Sequence, residues 1–195
     1  MVPDGITALP EFQALRARVE SKDDAVFGSL GLQRSARYVT TAAFYAALGR
    51  PILFLTDRPE QALLAFDEIG FWQPKADRYL FPAPEPHFYE NADWSLSVRR
   101  DRIQTLTQLT RLLIPHTDKP AEMPLVIAPV RAVMTRSLGR VNFIRNLKQL
   151  RVGQEIDPGK LLKMWNDTGY EAVDAVLESG QYSRRGELLD VWPHS

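Results

Sequence analysis

A chain of 195 residues is long enough to bury a core of its own, and one domain followed by a small second one is the natural expectation. Its 24 Lys and Arg are balanced by 24 Asp and Glu, which argues against wholesale electrostatic capture of nucleic acid and leaves room only for a local contact. With no cysteine there is neither a disulfide framework nor a thiolate metal site; no apolar run approaches the roughly 20 residues of a membrane span, and Met1-Val2-Pro3-Asp4 is no signal peptide, so a cytoplasmic location is expected by default.

In chain order, short apolar runs alternate with amphipathic stretches. Ala25 to Phe27, Ile52 to Thr56, Arg78 to Phe81 and Leu125 to Ala128 have the length and composition of strands that fill a parallel sheet covered on both faces. Ser35 to Leu48 reads as a helix with Ala36, Val39, Ala43 and Ala47 on one stripe. Arg58 to Ile69 reads as a second, with Pro59 in its first turn and Asp57 as the capping candidate. Val98 to Leu113 repeats the pattern through Ile103, Leu106, Leu109 and Leu113. Strands alternating with helices imply right-handed crossovers and a doubly wound α/β sheet. The alternation stops around Val141 to Gly153, after which Asp157-Pro158 opens a helix running to about Thr168. The expected division is residues 1–142, the α/β domain, and 143–195, the start of a small α+β domain.

The first strand-to-helix turn is where a nucleotide-binding ATPase declares itself, through glycines for close backbone approach and a Lys followed by Ser or Thr. With Gly28 as the first glycine and Gly31 inside the turn, Gln33 stands where the second glycine belongs, Arg34 replaces the lysine, and only Ser35 fits. A Cβ at Gln33 crowds a backbone that has to close on phosphate, and a planar guanidinium is a poor substitute for a compact ammonium. The loop reads as a phosphate grip that has been lost; the alternative is weak phosphate binding by Arg34 and Arg37 at the helix start. No acidic metal-binding pair, no nucleophile–base–orienter triple and no ligand spacing among His87, His116 and His194 stands out, so neither catalytic residues nor a metal or cofactor are expected. Arg136, Arg140, Arg145 and Lys148 lie between Arg131 and Arg151 with no carboxylate among them, a local basic strip that reads as a solvated domain boundary, the alternative being a contact for nucleic acid or an acidic partner.

The last segment is the most specific. Gly180 and Gly186 punctuate apolar/polar alternation, so Ala172 to Leu177, Gln181 to Arg185 and Glu187 to Trp192 read as three short antiparallel strands. Strand alternation sends Tyr182 and Arg184 to one face, Ser183 and Arg185 to the other. An arginine beside a glycine turn suits recognition of a partner's carboxylate; it equally suits a solvated charge that blunts an edge strand.

The run from Gly169 to Pro193, with Gly169-Tyr170, Asp174, Val176, Gly180, Tyr182, Arg185-Gly186, Leu188-Leu189-Asp190 and Trp192-Pro193 at fixed spacing, resembles the N-terminal UvrB-like module of the bacterial transcription-repair coupling factors (Mfd) and, more distantly, the excision-repair subunit UvrB. The likeness extends upstream through Leu125 to Met134, Phe81 to Pro86, Val98 to Leu106 and Pro51 to Asp57. The resemblance implies a degenerate P-loop or helicase-type sheet without ATPase activity of its own, followed by a surface that docks the damage-recognition ATPase UvrA. It implies Arg185 as the first contact, Tyr182 and Gly186 shaping the ribbon, and Arg184 beside them. It further implies RNA polymerase and DNA as partners of other parts of the full-length factor. Two arginines of UvrB have no counterpart, their places being taken by Ala172 and Ser183. The stretch His87 to Trp94 is too short for the tyrosine-rich hairpin with which UvrB threads damaged DNA, and Phe88, Tyr89 and Trp94 read as lids over the sheet's carboxyl edge. The rival reading is a divergent P-loop ATPase or helicase fragment acting on DNA.

Overall fold

The computed structural model describes residues 4–21, 29–85, 93–114 and 122–194. The chain divides into two compact units, one through Thr135 and one from Arg136. The expected strand Ala25 to Phe27 lies outside the described residues.

The first unit opens with α1 (Asp4–Thr7) and α2 (Pro10–Glu20), two helices that the sequence pattern did not announce. α2 buries one side chain, Phe12, whose ring stacks on Phe44 at 4.6 Å. There follow α3 (Arg34–Leu48), β1 (Ile52–Thr56), α4 (Pro59–Trp72), β2 (Arg78–Leu80), α5 (Leu96–Arg111), β3 (Leu125–Pro129) and α6 (Val130–Met134). The three strands are parallel in the order β1-β3-β2, with Ile52 opposite Leu125 and Arg78 opposite the same residue on the other side.

β3 is the axis of this unit. All five of its residues are buried, because it has a strand on each edge and helices on each face. Alternation sends Leu125 and Ile127 into a cluster with Tyr38, Ala42 and Tyr45 of α3 and Ala62, Ala65 and Ile69 of α4. Val126 and Ala128 face the opposite way, packing with Phe81, Ala132, Leu106 and Leu109. Of the three described strands of this sheet, β3 alone is buried throughout. β1 alternates: Ile52 and Phe54 pack against the first cluster, and Leu53 and Leu55 stay about half exposed. The expectation of strands buried from both sides therefore holds for the centre of the described sheet and not for β1.

Three local expectations are corrected. The helix at 34–48 buries Tyr38, Ala42, Ala43 and Tyr45; the two tyrosines carry more surface than the small stripe through Ala36 and Ala47 and turn the helix toward themselves. Tyr45 also has polar work at its tip, since its hydroxyl accepts from the Asp77 backbone N–H at 3.1 Å and donates to Glu122 at 3.2 Å. The helix at 59–72 starts on Pro59 as expected, but Arg58 occupies the capping position and no side chain caps it, while Asp57 makes an exposed ion pair with Arg58 at 3.7 Å. In α5 the buried face is largely polar: Arg102, Thr105, Thr107 and Thr110 lie inside with Val98, whereas Leu113 is exposed.

Arg102 explains that face. Its side chain is 3% exposed and donates to the carbonyls of Pro82 (2.9 Å), Ala132 (3.2 Å) and Thr135 (3.4 Å). The guanidinium lies 4.0 Å from the centre of the Phe81 ring and 5.0 Å from that of Trp94. Burial pushes its pKa down, and the carbonyls and ring faces offset the cost of keeping the charge inside. Arg102 thereby ties α5 to the chain just after β2 and to the C-terminal half of α6 and its cap. Arg102→Ala is expected to lower the unfolding free energy by about 2–4 kcal/mol, through unsatisfied carbonyls and a cavity, read as a fall in the urea midpoint of the first unit.

The second unit holds α7 (Arg140–Asn146), α8 (Pro158–Asp167), β4 (Glu171–Ala172), β5 (Gln181–Arg185) and β6 (Leu188–Trp192). Its sheet is mixed, in the order β4-β5-β6. β5 and β6 are antiparallel as expected; β4 pairs with β5 in parallel, Glu171 opposite Gln181. Of the expected strand 172–177 only Ala172 lies in β4. After Val173, whose N–H still donates to Tyr182 O at 2.9 Å, the chain leaves the ladder and returns to the starting end of β5, which a tight hairpin cannot do.

Candidate functional site

The ribbon of β5 and β6 is positioned by α8. Asp157 caps that helix, its carboxylate accepting from Gly159 N–H at 2.9 Å and Lys160 N–H at 3.3 Å, with Pro158 in the first helical position. At the far end Gly169 takes a left-handed φ of 87°, and the Tyr170 N–H closes back on Trp165 O at 2.9 Å. The helix buries Leu161 and Trp165. Against them pack Tyr182, Leu189 and Val191, the inward face of the ribbon.

The register defines both faces. Tyr182 is opposite Val191, Arg184 opposite Leu189, Ser183 opposite Asp190 and Arg185 opposite Leu188. Tyr182 is buried, its ring 5.4 Å from that of Trp165, and its hydroxyl donates to Asn166 Oδ1 at 2.8 Å. Arg184 shares the inward face but lies at the exposed tip, where its Nε donates to Gly186 O at 3.2 Å. On the other face, Ser183 is buried under the chain that follows β4 and donates to Asp174 O at 3.0 Å. The Gln181 side-chain oxygen accepts from the Leu177 and Glu178 N–H groups, both at 3.0 Å. The connection 173–180 thus covers the β5 half of this face at Gln181 and Ser183. Arg185, Leu188, Asp190 and Trp192 remain accessible, with Leu188 70% and Trp192 52% exposed.

Gly186 turns the ribbon with φ of 66°, in the two-residue loop between the Arg185–Leu188 pair. Arg185 donates from Nη2 to Asp190 Oδ2 at 2.6 Å; the two side chains are 71% and 50% exposed. That contact was not anticipated. The signal was present in the spacing, because a five-residue separation across a two-residue turn makes the pair diagonal neighbours on one face.

Of the residues of the first turn, Gly28 lies outside the described residues. Gly31 has φ of 59°, and Gln33 occupies the N-cap position of α3 without a side-chain capping bond. Arg34 and Ser35 begin the helix, and Arg37 folds back to donate from Nε to Leu32 O at 3.0 Å. An open cavity of about 430 Å³ borders this turn, lined by Ser29, Gly31, Arg37, Thr41 and Phe54 among others. Trp94 packs on Arg102; Phe88 and Tyr89 fall outside the described residues. The basic strip spans the change from the first unit to the second, and α7 within it buries no side chain.

The UvrB interaction domain family matches residues 149–195, the segment that forms α8 and the ribbon. The chain is 31% identical over 164 residues to the transcription-repair-coupling factor of Bacillus subtilis strain 168, a match that takes in 84% of this chain and 13% of that protein. It is 28% identical over 165 residues to the transcription-repair-coupling factors of Staphylococcus aureus strains RF122 and USA300, with the same shares covered. The chain therefore spans about one eighth of the length of these relatives (13%). Among the described residues, no helix is long and apolar enough to cross a membrane.

A β-branched side chain at a left-handed φ is strained and splays the strands. Gly186→Val is expected to cost about 1–2 kcal/mol of second-unit stability, read as a lowered thermal midpoint together with loss of the cross-strand NMR contacts between Arg185 and Leu188.

Proposed function

Taking the chain as the N-terminal module of a transcription-repair coupling factor, we propose that it is a docking module that recruits a UvrA-type damage-recognition ATPase and performs no chemistry itself. The observation that carries this reading is the geometry of one ribbon: Tyr182 is locked to α8 while Arg185, two pleats from the buried core, is held out at the turn. Its energetics suit binding. An exposed arginine beside two exposed apolar side chains adds nothing to the core, yet arginine and tryptophan are the residue types on which interfaces concentrate their binding energy. The match of the UvrB interaction family to this same segment supports the choice of surface.

The first unit is, on this reading, a P-loop-type scaffold that has lost its triphosphate grip. Gln33 and Arg34 stand where phosphate binding calls for a glycine and a lysine, and Arg37 is folded back onto the loop's own carbonyl. Its role is structural, in the cytoplasm, while RNA polymerase and DNA are engaged by parts of the full-length factor outside this chain.

Arg185→Ala is expected to weaken UvrA binding by roughly 1–3 kcal/mol, measured by titration calorimetry or by anisotropy of a labelled chain; an unchanged dissociation constant removes Arg185 from the interface. In a separate titration, ATP with magnesium is expected to give no saturable heat. Saturable uptake at the first turn returns the ATPase reading to the field.

A further inference from the structure

Resting on the docking reading above, we propose that Asp190 is the positioning residue for Arg185, and that the pair readies the guanidinium for a single partner carboxylate set in an apolar surround. Arg185 sits at the end of β5 and Asp190 in the middle of β6, diagonal across the antiparallel ladder and on the face away from α8. The contact uses one N–H of Nη2, at 2.6 Å. A guanidinium has five N–H groups in a planar fork, so one bond to Asp190 fixes the plane and leaves most of its donors for a second acceptor. An untethered arginine of this exposure samples many rotamers, and all but one have to be given up when a partner binds. Tethering it beforehand removes part of that ordering cost from the binding step.

The same geometry selects the ligand chemistry. The carboxylate of Asp190 already balances the arginine, so an incoming group of more than one negative charge meets repulsion from Asp190 at close range, and a monoanionic carboxylate meets least. Leu188 and Trp192 lie on the same face with much of their surface exposed. Apolar contacts there exclude water and strengthen the charged hydrogen bonds they surround, as the rim of an interface does around its centre. A phosphodiester backbone has nothing to offer these two side chains. The ligand that fits is an acidic residue of a protein surface, recessed among apolar neighbours.

The test is a double-mutant cycle on the 195-residue chain with UvrA as the titrant, using Arg185→Ala, Asp190→Asn and the pair together. Asp190→Asn is expected to weaken binding about two- to fivefold in the parent chain, the range of an exposed ion pair's coupling, and to have no effect once Arg185 is alanine. Asp190→Glu, which keeps the carboxylate, is expected to recover at least half of the loss. Tighter binding by Asp190→Asn makes Asp190 a competitor and overturns the proposal. An equal loss in both backgrounds reduces it to a folding residue, and no loss while Arg185→Ala binds poorly removes it altogether. Unaltered binding by Arg185→Ala is the different failure, that of the docking reading itself. Far-ultraviolet circular dichroism of each variant at the titration temperature confirms that all four are folded.

Discussion

The second unit depends on the burial of Tyr182. It is the one residue of β5 that enters the core of α8 and also bonds to it: the ring packs beside Trp165 and the hydroxyl reaches Asn166, one residue further along the helix. Because strand side chains alternate, fixing Tyr182 inward fixes Ser183 and Arg185 outward without any separate interaction being needed. A slip of one residue in register exchanges the two faces: Ser183 or Gln181 comes to lie against Leu161 and Trp165, and the Tyr182 ring turns to solvent. The lost burial of that ring, about 1.5–3 kcal/mol, together with the lost bond to Asn166, is what makes the outward position of Arg185 a property of the fold.

The first unit meets the opposite problem, a charge that is inside. Arg102 sits under Phe81 and Trp94 with backbone carbonyls from three places in the chain around it. Carbonyl dipoles and ring faces suit a delocalised cation with weakly bound water. Two threonines of the same helix obey the same rule: the Thr105 hydroxyl lies between Leu80 O at 3.2 Å and Asp101 O at 2.9 Å, and Thr110 donates to Leu106 O at 2.7 Å, whereas the buried Thr107 hydroxyl has no partner among the described residues. A polar helix face is thereby made compatible with a packed sheet.

This contrast sets what could be read from the sequence. β1, β2, β3 and the helices between them follow from apolar runs and from the prolines and glycines that bound them, and the ends of α8 follow from Asp157-Pro158 and Gly169. The inward face of α5 did not follow, because periodicity arguments count leucines and cannot see that Arg102 finds carbonyls from residues 20 to 33 positions away. Nor did the parallel pairing of β4, which is decided by where the eight-residue connection 173–180 lies in space. In the ribbon, Tyr182, Arg184, Arg185 and Gly186 were legible as a group from glycine spacing and alternation. Their division into a buried anchor, a tip residue and an exposed cation required the helix that covers one side.

Separating the buried anchor from the exposed cation has a consequence for how such a ribbon tolerates substitution. Residues on the α8 side are held by close packing, where a lost methylene or hydroxyl is felt as about a kcal/mol of stability. At the accessible tip of the other face Arg185 is held by an exposed ion pair, whose contribution to folding is small. The accessible part of the outer face, Arg185, Leu188, Asp190 and Trp192, can therefore change at little cost to folding, while Tyr182 and the glycine at 186 keep the presentation unchanged. On the docking reading proposed above, a surface of this kind lets partner affinity be tuned at little cost to the stability of the unit that displays it.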